Sequence, residues 1–371
     1  MDASNRTECL SGTRADVIEF IEDWASNLTT AEGVVWLHGL AGSGNATIIA
    51  NRFHEVGCLG AFLFFDRDVA ERSRPAIMIW TTAYQLARNH RAAVGTKISA
   101  VIDQFPSINE APLHFQFSKL LIEPLSLFIS DSTLVIIFDA LDKCGNPDYR
   151  QKLLTVLGEE SYRLPSSIRL IVASRAEYSI RTAFVFKAHI HTRELDIASK
   201  ANAADIRSYF RNQLAVIRKT RSQLSFPEDW PGDSAIGHLS ECAFGLFVWA
   251  STAKEFIRRA DYPANRFKTL LQDGPTSGAK TALDALYQTA LEDAGKWDDD
   301  EFVEDYRAIM GTVLVARNPL SISAIDLLLG IPSANTIALF GCVLIQHPTV
   351  RVLHPSFADF ITQIDAKRTH G

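Results

Sequence analysis

Cysteine is sparse and unpatterned: the chain holds five (Cys9, Cys58, Cys144, Cys242, Cys342), an odd number with no C-x-x-C spacing. Neither a disulfide framework nor a zinc ribbon fits that distribution, and the five read as reduced thiols that pack. An excess of basic charge is missing too. A net charge of −6 over 371 residues gives no field to gather a polyanion, which argues against a general nucleic-acid binder. No apolar run reaches the roughly 18 residues that a bilayer demands, and Met1 to Asn5 lack the charged-then-apolar start of a signal segment. The expectation is an intracellular, cytoplasmic protein without a membrane partner, in which the triplets beginning at Asn5, Asn27 and Asn45 carry no glycan. Internal repeats and low-complexity tracts are also absent.

What is present is organised around Val34 to Ala50, an apolar strand, a glycine-rich turn and the start of a helix. The spacing Gly39-x-x-x-x-Gly44 is that of a phosphate-binding P-loop, whose backbone N–H groups and helix N-terminus cradle an anion. Gly39, Leu40, Ala41, Gly42, Ser43, Gly44, Asn45, Ala46 and Thr47 are therefore the candidate nucleotide-binding residues. Two chemical positions depart from the pattern. Asn45 stands where a lysine reaches the β- and γ-phosphates, and Ala46 where Ser or Thr holds Mg2+.

Further buried strands are expected over residues 60–65, 133–138 and 168–173, and a last one over 187–195, with helices near 75–89, 92–104 and 114–130. The second of these strands ends in Asp139-Ala140-Leu141-Asp142-Lys143 and the third in Ser174-Arg175. A carboxylate at the end of a buried strand needs a partner, either Mg2+ with its nucleotide or, more simply, the N–H groups of the following turn. Strand and helix alternate from residue 34 to about 195, which predicts a doubly wound parallel sheet. Its ligand crevice lies at the carboxyl ends of the strands, where the P-loop, Asp139, Asp142 and Arg175 would converge. His189-x-His191 lacks a third ligand in view and reads as ordinary polar-face residues.

Beyond residue 200 helical patterns take over: 204–217, 235–244 and 246–257, then 281–295, 299–316 and 320–329. Gly274-Pro275-Thr276-Ser277-Gly278 reads as a linker. A hairpin is expected from Gly341–Ile345 and Val350–Leu353 around a turn at His347-Pro348-Thr349. Helices before a small hairpin describe a winged-helix-like module. Its candidate recognition helix, Ser323–Leu329, is apolar and carries Asp326 rather than Arg or Lys, which favours protein packing over DNA. The expected organisation is a lead-in helix (1–32), a P-loop domain (33–198), a helical domain (199–275) and the winged-helix-like domain (276–371).

The chain resembles the NACHT-type STAND NTPases, above all the fungal NLR-like proteins of mushrooms. Six blocks carry the resemblance: Cys9–Arg14 with Ile21–Ala25, Val35–Gly44, Phe138–Asp142, Ala173–Arg175, Gly245–Ala250 and Leu353–Phe360. It implies a P-loop NTPase sheet with helices on both faces, followed by a helical domain and a winged helix, holding ADP or ATP with Mg2+. It further implies an innate-immunity-like signalling core that opens on nucleotide exchange and forms homo- or hetero-oligomers. By the same resemblance Asp139 faces Mg2+, Asp142 neighbours the attacking water, Arg175 senses the γ-phosphate and His354 meets the β-phosphate. The departures fall on the reacting groups: Asn45, Ala46, and Lys143 where the family continues Asp-Glu. Their loss implies weakened Mg2+ binding and slow or absent hydrolysis. A slow ATPase and a nucleotide-independent scaffold are the alternatives, and Lys143 could lend its ammonium to the phosphates.

Overall fold

A computed structural model describes residues 15–39, 45–65, 74–90, 94–128, 133–272 and 278–368, with backbone alone for Asn45 and residues 364–368. The chain divides into two compact units, the first ending at Leu195 and the second continuing from Asp196.

The first unit is built on five parallel strands: β1 (Val34–His38), β2 (Leu59–Phe64), β3 (Leu134–Asp139), β4 (Ile168–Ser174) and β5 (Ile190–Glu194). Their order is β2-β3-β4-β1-β5. Runs such as Leu134-Val135-Ile136-Ile137-Phe138 are apolar on both faces, so each face needs cover, and parallel crossovers supply it. Val35, Leu37, Ile137 and Ile171 cluster with Ile21 of α1 (Ala15–Ser26) and with Ile49 and Phe53 of α2 (Asn45–Glu55). Trp36, Ile136, Phe138 and Val172 face the opposite layer. That layer comprises α3 (Pro75–Asn89), α4 (Thr96–Gln104), α5 (Leu113–Phe117), α6 (Glu123–Leu125), α7 (Pro147–Glu160) and α8 (Tyr178–Phe184). The sheet is parallel and doubly covered as the alternation of strand and helix predicts, with β4 inserted between the glycine-bearing β1 and the acid-bearing β3.

Two local devices adjust the sheet and its cover. The edge strand β2 is capped by side chains: the Gln85 amide accepts from Phe62 N–H (2.9 Å) and donates to Phe62 O (3.2 Å), occupying groups that would otherwise invite another strand. The helix expected as one piece over 114–130 requires correction. After α5 the chain passes through a π-helical turn, Ser118–Ile122, before α6. Pro124 has no N–H to donate, and its ring crowds the preceding turn, which the wider turn accommodates.

The second unit contains α9 (Lys200–Thr220), α10 (Asp233–Cys242), α11 (Phe247–Arg258), α12 (Pro263–Gln272), α13 (Ala279–Ala294), α14 (Asp300–Val315), α15 (Ile322–Leu329), α16 (Ala334–Leu339) and α17 (Pro355–Arg368). A short antiparallel hairpin joins β6 (Leu344–Ile345) to β7 (Arg351–Val352). α12 starts at Pro263, because proline is well tolerated in a first helical turn, and one reading changes. Leu320, expected as the first residue of a helix, instead bridges Val350, and α15 begins later with the Ser321 hydroxyl accepting from Ala324 N–H at 3.2 Å. Among the described residues no helix is long and apolar enough to cross a membrane.

Candidate functional site

Strand register builds the site. His38 pairs with Ser174 on one side and Glu194 on the other, while Phe138 pairs with Val172. The chain therefore leaves β1 at Gly39 level with Arg175, and β3 ends at Asp139 on the same rim, where doubly wound sheets hold ligands. Close approach explains Gly39: a Cβ there would sit 3.1 Å from Leu195 Cβ, and Leu195 N–H already donates to His38 O at 2.8 Å. At the other end of the loop α2 starts at Asn45, so its first N–H groups and positive dipole end belong to this rim. Ala46 and Thr47 are both buried. Leu40, Ala41, Gly42, Ser43, Gly44 and the Asn45 side chain lie outside the described residues.

The acidic side is tightly organised. Asp139 is the half-buried last residue of β3. Ala140 then adopts φ 56°, ψ 42°, a left-handed conformation that turns the chain into the short helical turn Leu141–Lys143. Asp142 is 3% exposed. Its Oδ1 accepts from Arg175 N–H at 3.2 Å, and its Oδ2 lies 3.6 Å from both Arg175 Nε and Lys143 Nζ. Arg150 ties the turn down, donating to Asp142 O at 2.8 Å and pairing with Glu177 at 3.0 Å. Asp142 and Arg175 were singled out for separate roles; they are in direct contact.

An alanine in the left-handed region costs about 1–2 kcal/mol that glycine does not incur. Allowing for the greater freedom of glycine when unfolded, Ala140→Gly is expected to stabilise the protein by about 0.5–1 kcal/mol. A rise in the urea midpoint with an unchanged slope checks this; a fall would mean that the methyl packs better than the backbone is strained.

The roles of Trp36 and His38 at this rim were not assigned from the sequence. Trp36, wholly buried, donates its indole N–H to Ser174 Oγ (2.8 Å), which donates to Arg175 O (3.0 Å), so a core side chain holds the strand end in place. The His38 ring lies tilted against Trp36, centroids 4.4 Å apart, with its Nδ1 buried and without a hydrogen-bond partner among the described residues. Burial pushes its pKa below the ordinary histidine value, Glu194 opposing and Arg181 reinforcing the shift, so the ring is neutral near pH 7. Its place as the last residue of β1 was the one available hint. His189 and His191 go to separate partners, Ser161 Oγ at 3.1 Å and Glu32 at 3.0 Å. The described residues contain no group of three or more His, Cys, Asp or Glu placed to hold a metal.

In the second unit, His354 Nδ1 accepts from Ser356 N–H at 3.2 Å and lies 2.7 Å from Ser356 Oγ, which is itself 2.7 Å from the Tyr287 hydroxyl. With Nδ1 accepting, a neutral ring carries its proton on Nε2. Burial holds the Tyr287 phenol protonated, raising its pKa above the ordinary range.

Chemically, the first unit's rim suits a phosphate better than a divalent cation. A helix N-terminus, a glycine without room for a side chain, and the cations of Lys143 and Arg175 all favour an anion. Mg2+ demands oxygen ligands in octahedral array. Position 46 offers only a buried methyl, and the Asp142 carboxylate sits between two cations.

Residues 17–175 match a family model described as Nephrocystin 3, N-terminal. Among solved structures the chain is similar to Cdc6p from Pyrobaculum aerophilum, at 12% identity and TM-score 0.42 over 99% of each chain. It is also similar to the Aeropyrum pernix ORC1 protein in complex with DNA, at 12% identity and TM-score 0.34 over 95% of this chain and 94% of that one. A RuvB mutant from Thermotoga maritima matches at 11% identity and TM-score 0.33 over 93% of each chain. Likenesses of this size assign no function. No curated protein matches the sequence.

Proposed function

We propose that this chain, whose residues 17–175 carry a NACHT-related P-loop domain, is a nucleotide-binding signalling core. It holds ADP or ATP at the carboxyl rim of the sheet, changes conformation with the nucleotide, and associates with protein partners, as homo- or hetero-oligomers. It hydrolyses ATP weakly or not at all. One observation carries the reading: strand register sets Gly39 level with Arg175, and Arg175 in turn grips Asp142 at the end of the neighbouring strand. A glycine turn, an acid and an arginine, far apart in sequence, thus share one rim beside a helix N-terminus.

In this reading Gly39 to Thr47 wrap the phosphates, Asp139 and Asp142 form the acidic side, and Arg175 reads the outer phosphate. Phosphoryl transfer depends on charge neutralisation and positioning, and Asn45 and Ala46 bring neither the ammonium nor the metal ligand that a working loop supplies. Residues 199–275 form the helical domain and 276–371 the winged-helix-like domain. The bridge of Leu320 to Val350 beside the hairpin supports the winged-helix comparison. DNA is disfavoured as its partner, because neither α15 nor α16, the helix immediately before the hairpin, carries Lys or Arg.

Calorimetric titration of the full chain with ADP and ATP tests the reading. Saturable binding with turnover near background is the expected result. No heat with either nucleotide at millimolar concentration would overturn it and leave the nucleotide-independent scaffold, a reading favoured by how fully Asp142 is already neutralised. Turnover abolished by Asp139→Ala would establish the slow ATPase instead. Asn45→Lys with Ala46→Ser is expected to raise Mg–ATP affinity about tenfold or more, or ~1.4 kcal/mol; unchanged affinity would mean that the metal site is lost beyond those two positions.

A further inference from the structure

We infer that the outward face of α14 docks on the outward face of α9 in a second copy of this chain, acid on base, so that copies associate head to tail. The inference supplies a surface for the self-association in the reading above and rests on that part of it alone, not on the nucleotide.

α14 is held to its own unit along one side. Phe302 and Tyr306 pack on Phe340, with ring centroids 6.3 and 4.9 Å away, and Ile309 and Met310 are buried. Glu301, Glu304, Ala308, Gly311 and Val315 recur at alternating intervals of three and four residues, which sets them on one face, and all five are exposed. The helix dipole accounts for acid in the first turn, but not for the other end of this face. There Val315 is 82% exposed, and a Cβ built on Gly311 would meet nothing within 4 Å. Alanine would fit at position 311 and suit a helix interior better. A second helix crossing close to the backbone is what would exclude it.

Charge identifies the partner. Residues 298–305 hold six carboxylates and no Lys or Arg, so this face asks for a basic one. α9 carries it, with five Lys or Arg against a single acid, Asp205. Ile206, Phe210, Leu214 and Ile217 are buried on one side of α9, while Ala204, Arg207, Arg211 and Ala215 are exposed on the other at helical spacing. Arg211 also pairs with Asp233 at 2.8 Å, between side chains 55% and 82% exposed, and that bond leaves most of its five donors for a second carboxylate. Small residues adjoin the arginines as they adjoin the glutamates, so Glu301 and Glu304 can meet Arg207 and Arg211 while small residue lies against small. Pairing α14 with its own copy would offer those carboxylates only Arg307 and Arg317 in return. Because the two faces differ, the contact is heterologous, and a pair of copies still presents one face of each kind.

Sedimentation velocity of the full chain at about 100 μM tests this in about 0.1 M and about 1 M salt, between which the Debye length falls from about 10 to about 3 Å. Wild type should sediment as dimers and larger species at low salt and as monomer at high salt. Gly311→Gln, whose side chain starts into open space in the single chain, should weaken association at least about tenfold. Glu301→Lys with Glu304→Lys, and separately Arg207→Glu with Arg211→Glu, should each leave monomer. An equimolar mixture of these two double variants should associate again, because one keeps the basic face and the other the acidic face; that recovery also shows that both fold, as thermal melts check independently. A wild type monomeric at low salt, association kept by the arginine variant alone, or no recovery in a mixture of folded variants would overturn the inference. Nucleotide binding by a chain that stays monomeric would do so while leaving the nucleotide reading standing.

Discussion

Gly245→Ala is expected to destabilise the second unit by at least about 3 kcal/mol, among the most damaging single-methyl additions available in this chain. Two penalties combine there. Gly245 has φ +77°, a conformation that side chains rarely adopt, and a Cβ built on it would lie 1.9 Å from Ile197 O and 2.7 Å from Asn202 Nδ2. Neither neighbour can retreat cheaply. Ile197 O belongs to the backbone, and Asn202 is wholly buried, its amide donating to Ile197 O at 2.6 Å and to Gly245 O at 2.9 Å. The same asparagine lies in the first turn of α9, where its N–H donates to the Ser199 hydroxyl at 3.1 Å. One glycine thus lets the entry to α11 lie against the start of α9. Hydrogen exchange over α9–α11 is the appropriate measurement, since a chain of two units need not unfold in one step. Protection equal to wild type would show that the two segments separate without loss. Asn202→Ala should lose about 1–3 kcal/mol at the same place by leaving buried carbonyls without donors.

Loss of the Asp142 carboxylate should cost about 3–5 kcal/mol, because removing one member of a buried charge cluster strands the others. Asp142→Ala would remove the carboxylate that faces both the buried Lys143 and the partly exposed Arg175, and with it the acceptor of the Arg175 N–H. Asp142→Asn keeps an acceptor for that N–H but not the charge, so its loss should be smaller. Denaturant unfolding followed through the first unit, with Lys143→Gln added to Asp142→Ala, separates the causes. Stranded charge predicts that the second substitution restores part of the stability. No restoration would mean that the cost lies in the lost hydrogen bond and cavity.

How much of this was legible in the sequence differs by element. β1, β3 and β4 stood out because strands buried on both faces are written as unbroken apolar runs, and Val34–Leu37, Leu134–Phe138 and Ile168–Ala173 hold little else. β5 was harder. Its expected span of 187–195 shortens to Ile190–Glu194, since an edge strand alternates in exposure and its ends lack the apolar signal. α12 was hidden behind a proline that reads equally as a stop or a start. The candidate site divides in the same way. Asp139, Asp142 and Arg175 were identifiable as polar residues at the ends of apolar strands, but their mutual contacts were not, because a distance of 3.6 Å between residues 33 positions apart is set by strand register. Arg169 shows the limit of pattern reading: a charge in mid-run, it is 1% exposed, its guanidinium donating to Asn27 O at 2.6 Å and lying 5.4 Å from the Trp24 ring centroid.

By itself the sequence determined that this protein has a P-loop sheet, that the loop lacks its lysine and its metal ligand, and that acid and arginine stand at neighbouring strand ends. Those are local facts, carried by residue type and by periodicity along one segment. Only the tertiary structure decided what the remaining charges do. Parallel pairing of β3 with β4 and of β4 with β1 brings Asp142, Lys143, Arg175 and Gly39 onto one rim, and burial of Asp142 and Lys143 there strengthens the charge interactions between them.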